Sequence, residues 1–550
     1  MRRKLWLSIV MAAVGAGLLV AAGFAGPASS STQRSSAGTF TFSKSIGITY
    51  VDPALAYFAD EWLIEYATCA KLMNYPDAKQ PKGNQVLPEV AAGFPRISRN
   101  GRQYTFTIKR GWRYNTGKTI TAADFKQAFL RGANKDMNSP AVSYEHEIVG
   151  ADAYNKGTAS TIAGVKASGN KLTIRLTRAA PDFVSRMTMP FFCPLPPSTP
   201  FDPNGINNPP GSGPYYIANY TPDRLIDVRT NPNYKGKRPH HATRFVYKLT
   251  NASLEACRLQ TIQGGIDWCD DGIPPNTYAQ VAKDYGINRK NGQYWESPEV
   301  GFSYLAMNTS RPIFKGNVKL RKAVNYAINR PLLIAQGGFH SGKPTDQILP
   351  PSMPGFKNVN AYPLKLSSKA LDKAKALAKG NTRGGTIVLY NGNSGARRLR
   401  SQVIKANLEA IPGINVDVHL FTRATQKELT GKRNEPFDMT DEGWIADYLD
   451  PFSFIGALLQ GRSIQETENV NVSYFNVPKY NAAIARAGAL GGKARFKAFG
   501  KLDIQLTTAN DAVPWASYQN FINRDFVSKH VGCYLYHPVF QMDLGHLCRK

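Results

Sequence analysis

Two strand patterns flank a helix pattern in the last third of the chain, and this order most constrains the fold. TIVLYN, residues 386–391, and INVDVHLF, residues 414–421, are rich in the apolar and β-branched side chains of strands. Between them, an amphipathic helix is predicted from Arg397 to Ala410. A strand, a helix and a second strand in this order predict a parallel pair with a right-handed crossover. Because such sheets carry helices on their faces, an α/β architecture is expected.

Shorter patterns earlier in the chain add antiparallel strands and a capped helix. Residues 104–108 and 171–178 alternate apolar and polar side chains, which is the period of a half-buried strand. Residues 212–234 hold two strand-like runs and predict a hairpin-like pair. Thr121 precedes Asp124 by three positions, so each side chain can satisfy the other residue's backbone N–H at the start of a helix. The expected architecture is therefore α/β with antiparallel additions.

The length of the chain sets the number of domains. Its 550 residues exceed what one hydrophobic core supports and predict two or three domains. Apolar residues make up 42% and charged residues 19%, which excludes a disordered or fibrous chain.

The N-terminus has the three parts of a secretory signal peptide. Basic residues at positions 2–4 precede the uncharged run LWLSIVMAAVGAGLLVAAGFAG, and a serine-rich stretch follows. We predict a signal peptide over residues 1–30, cleaved between Ala25 and Ser31, and an exported mature protein. An uncleaved anchor is the alternative, because the run approaches the roughly 20 residues that span a bilayer. No cysteine precedes Cys69, so a cysteine-anchored lipoprotein is not expected.

Six cysteines form an even number in an exported chain, which favours disulfides. Six cysteines allow 15 pairings, so the sequence leaves the connectivity open. Cys257 with Cys269, and Cys533 with Cys548, are the short-loop pairings. Zinc-type CxxC spacing is absent, and the adjacent histidines at 240–241 have no partner at helical spacing, so no metal site is predicted.

The formal charge is strongly positive. It is +29, and removal of the three basic residues at positions 2–4 leaves +26. Lysines and arginines are scattered, however, and no nucleic-acid-binding motif accompanies them, so no nucleic acid partner is predicted. We favour the interpretation that the positive charge is ordinary solvated surface charge. Contact with anionic envelope polymers or lipid headgroups is the alternative.

Catalytic and nucleotide-binding motifs are largely missing. No HExxH or GxSxG occurs. In GGFHSGKP, Gly337, Gly342 and Lys343 satisfy GxxxxGK, but Pro344 replaces the hydroxyl residue. A phosphate-binding loop needs that hydroxyl for magnesium and a backbone N–H for the phosphate, and proline supplies neither.

GWIADYLDPFSF, residues 443–454, places two carboxylates among aromatic side chains. Asp447 and Asp450 are too close in one loop for the carboxyl pair of a glycosidase, and the Asp-Pro step predicts that Asp450 caps or turns the chain. Asp447, beside Trp444 and Tyr448, suits a cation, because a carboxylate pairs with an ammonium and an aromatic face attracts it. A satisfied buried acid beside a core tryptophan is the alternative.

Four blocks, in order, resemble one family: the solute-binding proteins of ABC importers of the oligopeptide/dipeptide type, family 5. The blocks cover most of the mature chain. They are residues 87–129, with LPEVAAGF and GKTITAADF; residues 211–234, with GSGPYY and NPNY; residues 302–334, with MNTSRPIF and LRKAVNYAINR; and residues 443–451, with GWIADYLDP.

The resemblance implies a two-lobed, periplasmic-binding-protein-like (type II) α/β fold with an additional inserted domain, closing over a cleft. We therefore predict the following division. It comprises the signal peptide (1–30), a linker (31–38), lobe 1 (39–75, 201–305 and 506–550), an inserted small domain (76–200) and lobe 2 (306–505).

The resemblance also implies ligand-binding residues. In peptide binders of the family, the aspartate of the W-x-(A/G)-D motif pairs with the ligand's α-ammonium, and that position is Asp447. We predict that further ligand contacts come from the block at residues 443–451, which holds Asp447, and from the block at residues 302–334. They are Trp444, Ile445, Tyr448, Asn308 and the tyrosine of FSYLAMN, Tyr304, which precedes Leu305.

Two departures concern the ligand's carboxylate. Oligopeptide-type members can carry an arginine where this chain has Asp441, and dipeptide-type members carry one where this chain has NGNSG, residues 391–395. Anchoring of a C-terminus at a defined length is therefore not expected, and a longer peptide or another cationic solute is favoured.

The expected function is an exported substrate-binding protein without catalysis or cofactor, delivering extended peptides to ABC permease subunits in the membrane. It is expected to be a monomer in the periplasm or at the outer face of the cytoplasmic membrane. The alternatives are a receptor for another solute, such as an oligosaccharide stacked on Trp444 or a nickel complex, and a secreted hydrolase using Asp447 and Asp450.

Overall fold

The structure is a computed structural model and describes residues 38–45, 47–250 and 252–550. The predicted signal peptide, with its alternative as an anchor, and linker residues 31–37 lie outside this part of the chain. Within it, no helix has the length and hydrophobicity needed to cross a bilayer.

The strands of the described residues are β1 (Thr39–Lys44), β2 (Met73–Asn74), β3 (Leu87–Pro88), β4 (Arg96–Ile97), β5 (Gln103–Thr107), β6 (Val165–Ser168), β7 (Lys171–Arg175), β8 (Tyr215–Thr221), β9 (Leu225–Thr230), β10 (Arg244–Leu249), β11 (Trp268–Cys269), β12 (Tyr294–Met307), β13 (Gly342–Pro344), β14 (Thr386–Gly392), β15 (Asn415–Phe421), β16 (Met439–Ile445), β17 (Trp515–Phe526), β18 (Val531–Gly532), β19 (Tyr536–His537), β20 (Gln541–Met542) and β21 (Cys548–Arg549).

The α-helices are α1 (Ala59–Thr68), α2 (Ala122–Gly132), α3 (Val142–Glu145), α4 (Ala151–Asn155), α5 (Phe183–Arg186), α6 (Leu254–Gln263), α7 (Tyr278–Tyr285), α8 (Val318–Ala327), α9 (Arg330–Ala335), α10 (Ser368–Ala378), α11 (Gly395–Glu409), α12 (Arg423–Gly431), α13 (Phe452–Leu459), α14 (Pro478–Ala489) and α15 (Gly492–Thr508). Short 3₁₀ turns cover Lys82–Asn84, Pro190–Phe192, Gly461–Ser463 and Leu544–His546.

A six-stranded mixed sheet contains the predicted β-α-β unit. Its order is β13-β17-β12-β16-β14-β15, and β14 is parallel to both β15 and β16. Helix α11 joins β14 to β15, which confirms the prediction for residues 386–421. Ile387 and Leu389 of β14 pack with Ile404 and Leu408 of α11 in one buried cluster. The alternation of apolar residues thus fixes which face of the sheet the helix covers.

A five-stranded sheet forms a second body, with the order β11-β1-β10-β9-β8. The predicted hairpin within residues 212–234 is β8 paired with β9 in antiparallel register. Gly213 precedes β8 where the backbone passes α1: a Cβ there would lie 2.7 Å from the Ala67 carbonyl oxygen, so the glycine permits the close approach.

Two long strands connect the two bodies. Strand β12 enters the six-stranded sheet from the five-stranded side, and β17 returns beside it in antiparallel register. Immediately after β17, Val527 bridges to Trp268 of β11, and Val531 and Leu547 join the core under the five-stranded sheet. This arrangement gives the fold two strand connections between its sheets.

A four-stranded sheet, in the order β4-β5-β7-β6, belongs to the region predicted as the small domain. Strands β5 and β7 are the alternating segments predicted at 104–108 and 171–178. Helix α2 packs against this sheet, and its predicted N-cap is confirmed: the Asp124 carboxylate accepts the backbone N–H of Thr121 at 2.9 Å. The domain bounds themselves stay a proposal. Strand β12 falls largely within predicted lobe 1 but pairs within the six-stranded sheet.

The GGFHSGKP segment ends in an edge strand. Residues Gly342–Pro344 are β13, which pairs antiparallel with β17. The glycine-lysine pair therefore lies in a strand that follows α9, whereas a phosphate-binding loop leads from a strand into a helix. The adjacent histidines at 240–241 are exposed, as predicted.

Three disulfides pair all six cysteines. Cys257–Cys269 and Cys533–Cys548 are the two short-loop pairings favoured by the sequence, and Cys69–Cys193 joins residues 124 positions apart.

We expect the double variant Cys533→Ser/Cys548→Ser to lose about 3 kcal/mol of unfolding free energy, because the crosslink restricts a loop of about 15 residues in the unfolded chain. Urea unfolding followed by circular dichroism measures this loss. The Cys257→Ser/Cys269→Ser variant, with a similar loop, is the matched comparison. An unchanged unfolding midpoint in the first variant would show that this crosslink contributes nothing to stability.

Candidate functional site

A cavity of about 310 Å³ lies between the start of α1 and the carboxyl end of β16. Tyr57, Phe58 and Trp62 line it from the α1 side, and residues 442–447 line it from the β16 side. Helix α12 contributes charged side chains at its edge. The cavity therefore receives side chains from elements packed against both large sheets.

Asp447 lies at this cavity and is only 5% exposed. The Tyr144 hydroxyl donates a hydrogen bond to its Oδ2, and the Tyr57 hydroxyl, 2.7 Å from that of Tyr144, also interacts with the carboxylate. Burial raises the pKa of Asp447 to about 7, and the two tyrosine hydrogen bonds only partly oppose this effect. Among the described residues, no lysine, arginine or histidine forms an ion pair with it.

Hydrogen bonds fix the backbone around Asp447. Ala446 donates its N–H to the Val300 carbonyl at 2.8 Å, which extends the pairing of β16 with β12. The indole N–H of Trp444 donates to the Ser453 carbonyl at 3.0 Å. The segment after β16 is therefore bonded to both β12 and α13, and these bonds fix the position of the Asp447 backbone beside the cavity.

Three other predicted site residues line the same cavity. Trp444 is partly exposed, and its ring stands edge-on to Tyr57 at a centroid distance of 6.0 Å. Ile445 is also partly exposed, and Tyr304, across the β12–β16 pair, is 2% exposed and packs on Trp515 at 4.3 Å. These residues form an aromatic and apolar wall beside the carboxylate.

The remaining predicted residues lie elsewhere. The Tyr448 hydroxyl donates to Asp182 at 2.8 Å and is fully buried. Asn308 donates to the Phe437 carbonyl at 3.1 Å. Neither of these two residues lines the cavity, and Leu305, the neighbour of Tyr304, is a core residue that does not line it either.

Asp450 has a structural environment. Its carboxylate accepts two hydrogen bonds from the Arg495 guanidinium, both at 2.8 Å, and the N–H of Phe452 at 2.9 Å. The last bond reaches the first residue of α13, so Asp450 lies in the turn that leads into the helix, as the Asp-Pro step predicts. Arg495 also lies 3.1 Å from Asp182, so Asp450 belongs to a buried charge network rather than to the cavity.

Asp441, three residues before Trp444, is also internal. It is 1% exposed, accepts a hydrogen bond from the Tyr518 hydroxyl at 2.7 Å and pairs with Arg400 at 3.0 Å. It therefore leaves no free charge at the cavity.

Several other residues of the site carry no signal in the sequence. Tyr57 and Tyr144, which hold Asp447, come from distant segments. Arg397, Arg423 and Lys427 bring positive charge to the cavity wall, and Glu442 brings a carboxyl whose pKa is raised by burial. Only the tertiary fold brings these side chains together, and the tyrosines belong to no motif quoted above. Among the described residues, no cluster of side chains suits a metal ion.

Two sheet-containing bodies are joined by two long strands and enclose a cavity, whose buried carboxyl has no basic partner within the described ranges. These features define a two-lobed solute-binding architecture of the periplasmic type. A family model described as bacterial extracellular solute-binding proteins, family 5 (middle), matches residues 85–466. The chain belongs to this family.

Individual relatives agree with this assignment. The oligopeptide-binding protein OppA of Bacillus subtilis is 24% identical over 379 residues, covering 65% of this chain and 67% of its own. The dipeptide-binding protein of Escherichia coli is 26% identical over 417 residues, covering 70% and 72%. Among solved structures, clavulanic acid biosynthesis oligopeptide binding protein 2 superposes with a TM-score of 0.80 at 24% identity, covering 93% of this chain and 95% of its own.

Proposed function

We propose that this protein is the substrate-binding component of an ABC importer, that it binds extended peptides, and that Asp447 receives the peptide's α-ammonium. The observation that carries the proposal is a buried carboxyl, without a basic partner in the described part of the chain, at the wall of an inter-lobe cavity. An ammonium that enters the cavity would supply the missing positive charge. The charge-assisted hydrogen bonds contribute about 1.5–3 kcal/mol.

The surroundings of Asp447 fit an ammonium group. The Tyr144 and Tyr57 hydroxyls hold the carboxylate in place, and Trp444 offers an aromatic ring at the same wall. Main-chain hydrogen bonds and bridging waters then accommodate varied side chains along an extended peptide. The printed names of the relatives, oligopeptide-binding and dipeptide-binding, support the same ligand class.

The proposal includes no catalysis. The hydrolase hypothesis needs Asp450 as its second carboxylate. That carboxylate accepts hydrogen bonds from the Arg495 guanidinium and from the N–H of Phe452, the first residue of α13. Asp447 lies at the cavity and Asp450 does not, so the two acids do not form a catalytic pair there. We further propose that the protein is an exported monomer, held by no lipid-modified cysteine, which delivers its ligand to membrane permease subunits.

Peptide affinity is expected to depend on pH through Asp447. Its pKa is raised to about 7 by burial, whereas an ammonium pairs with the ionised carboxylate. Binding below that pH must release a proton, so the affinity should fall as pH decreases, by about tenfold for each unit below 7. Titration calorimetry from pH 5 to 7.5 measures this dependence.

The Asp447→Asn variant is the control for that titration. Glu442, whose pKa is also raised, is present in both proteins, so the difference between their profiles isolates Asp447. Parallel profiles in the two proteins would mean that Asp447 does not titrate with ligand binding.

A thermal-shift screen tests the ligand class, because a ligand that binds only the folded state raises the melting temperature. We expect stabilisation by peptides with a free N-terminus. Stabilisation by cello-oligosaccharides or a nickel complex, without any by peptides, would assign another solute. Mass spectrometry of the ligand that co-purifies with the protein identifies the class independently.

A further inference from the structure

Three cavities share Phe58 in their walls. The inner cavity, of about 310 Å³, is the one lined by Asp447. A second cavity, of about 410 Å³, lies between the β8–β9 turn and the start of α12. A third, of about 560 Å³, lies between residues 137–140 and α12. Phe58 lines all three, so this side chain is the point at which they adjoin.

Two cations of α12 cover the Phe58 ring. The Arg423 guanidinium lies 3.5 Å from the ring centroid, and the Lys427 ammonium lies 5.0 Å from it. Arg423 lines the inner and second cavities, and Lys427 lines the inner and third. Phe58, Arg423 and Lys427 are called the partition below, because they separate the inner cavity from its neighbours.

The partition joins elements of the two bodies. Arg423, at the start of α12, pairs with Asp60 of α1 at 3.2 Å. Helix α12 packs on β14 and β15 of the six-stranded sheet, whereas α1 packs on β8 of the five-stranded sheet. The ion pair and the ring contact therefore hold the two bodies together beside the inner cavity.

Arg423 can leave without stranding a buried charge. Asp60 also pairs with the Lys44 ammonium at 2.7 Å, so it keeps a cation when Arg423 moves. The Arg423 side chain is 39% exposed and can return to water. The Phe58 backbone, in contrast, is fixed, because its N–H donates to Glu61 at 3.0 Å. The cations of the partition are thus its movable part.

We propose that the partition sets the length of the bound peptide. This inference rests on the proposed function, with the N-terminus of the peptide at Asp447. A dipeptide stays within the inner cavity and leaves the partition closed. A longer peptide displaces Arg423 from Phe58, and its C-terminal part occupies the second cavity, which Arg423 also lines. The displacement costs the cation–π contact and the ion pair with Asp60, which are each modest at partly exposed positions.

Replacing Arg423 by alanine should change the length preference. We expect the affinity for an eight-residue peptide to rise by about fivefold, since the cost of displacing the side chain is removed. The affinity for a dipeptide of the same N-terminal sequence should not rise, because that ligand does not displace the side chain, so the ratio of the two dissociation constants should change by about fivefold or more. Titration calorimetry gives both dissociation constants.

Two further variants make the result interpretable. Arg433→Ala removes another partly exposed arginine in an ion pair, that with Glu466, and Arg433 lines none of the three cavities, so its dissociation constants should match those of the wild type. Arg423→Gln serves as the test if the alanine variant does not fold. An unchanged ratio of the two constants, or equal weakening of both peptides, would overturn the length inference. If neither peptide binds the wild type, the proposed function itself fails.

Discussion

Replacing Asp447 by asparagine is expected to weaken peptide binding by about tenfold or more. The substitution removes the charge that pairs with the ligand's ammonium, and charge-assisted hydrogen bonds contribute about 1.5–3 kcal/mol. Asparagine keeps the shape and an acceptor oxygen for the Tyr144 hydroxyl, so the pocket should stay formed. Titration calorimetry at pH 7.5 with a dipeptide and a longer peptide measures the effect.

The stability of this variant separates a binding effect from a folding effect. Because burial raises the pKa of Asp447 from its ordinary value to about 7, the unliganded protein loses stability as pH rises through this interval, and the loss is complete above about pH 7. The asparagine variant should therefore be at least as stable as the wild type at pH 8. Asp417→Asn, at a largely exposed aspartate of β15, is the matched control and should alter neither property. Equal peptide affinities in wild type and Asp447→Asn would show that Asp447 does not bind the ligand's ammonium.

Replacing Asp450 by asparagine should lower stability and leave peptide affinity unchanged, the reverse of the effects expected for Asp447→Asn. We expect a loss of about 3 kcal/mol of unfolding free energy, because the Arg495 guanidinium is buried and loses its two-point partner. Asp182 remains near Arg495 at 3.1 Å, which limits the loss. Urea unfolding measures the loss, and calorimetry on the folded variant should give an unchanged peptide affinity.

The contrast between the two aspartates tests the division of roles in GWIADYLDPFSF. If Asp450→Asn abolished binding while leaving stability intact, Asp450 would have to act at the ligand site. If both variants abolished hydrolysis of a peptide or glycan by the pure protein, the hydrolase alternative would be established.

Local patterns in the sequence predicted much of the fold. The β-α-β unit at 386–421 follows from apolar periodicity, and the cap at Thr121 follows from two side chains within one turn of a helix. The assignment of Asp450 to a turn follows from the adjacent proline. In each case the forces that fix the structure act between residues close in sequence.

The environment of Asp447 could not be predicted in the same way. Tyr144 is 303 positions from Asp447, and the two meet only through the packing of separate bodies. The Cys69–Cys193 pairing also joins distant residues, so spacing gave no reason to prefer it. Tyr448, adjacent to Asp447, points instead to Asp182, because neighbours in an irregular segment need not share a direction. Closeness to Asp447 in the sequence therefore did not predict which residues line the cavity.

Titration of one peptide and of its N-acetylated form against wild type and Asp447→Asn shows whether Asp447 receives the ligand's ammonium. Acetylation removes the ammonium and leaves the rest of the ligand unchanged. We predict that acetylation weakens binding to the wild type by about tenfold or more, and that it has a much smaller effect on the variant, whose uncharged amide forms no ion pair. An acetylated peptide that binds the wild type as tightly as the free peptide would contradict the assignment of Asp447 to the ligand's ammonium.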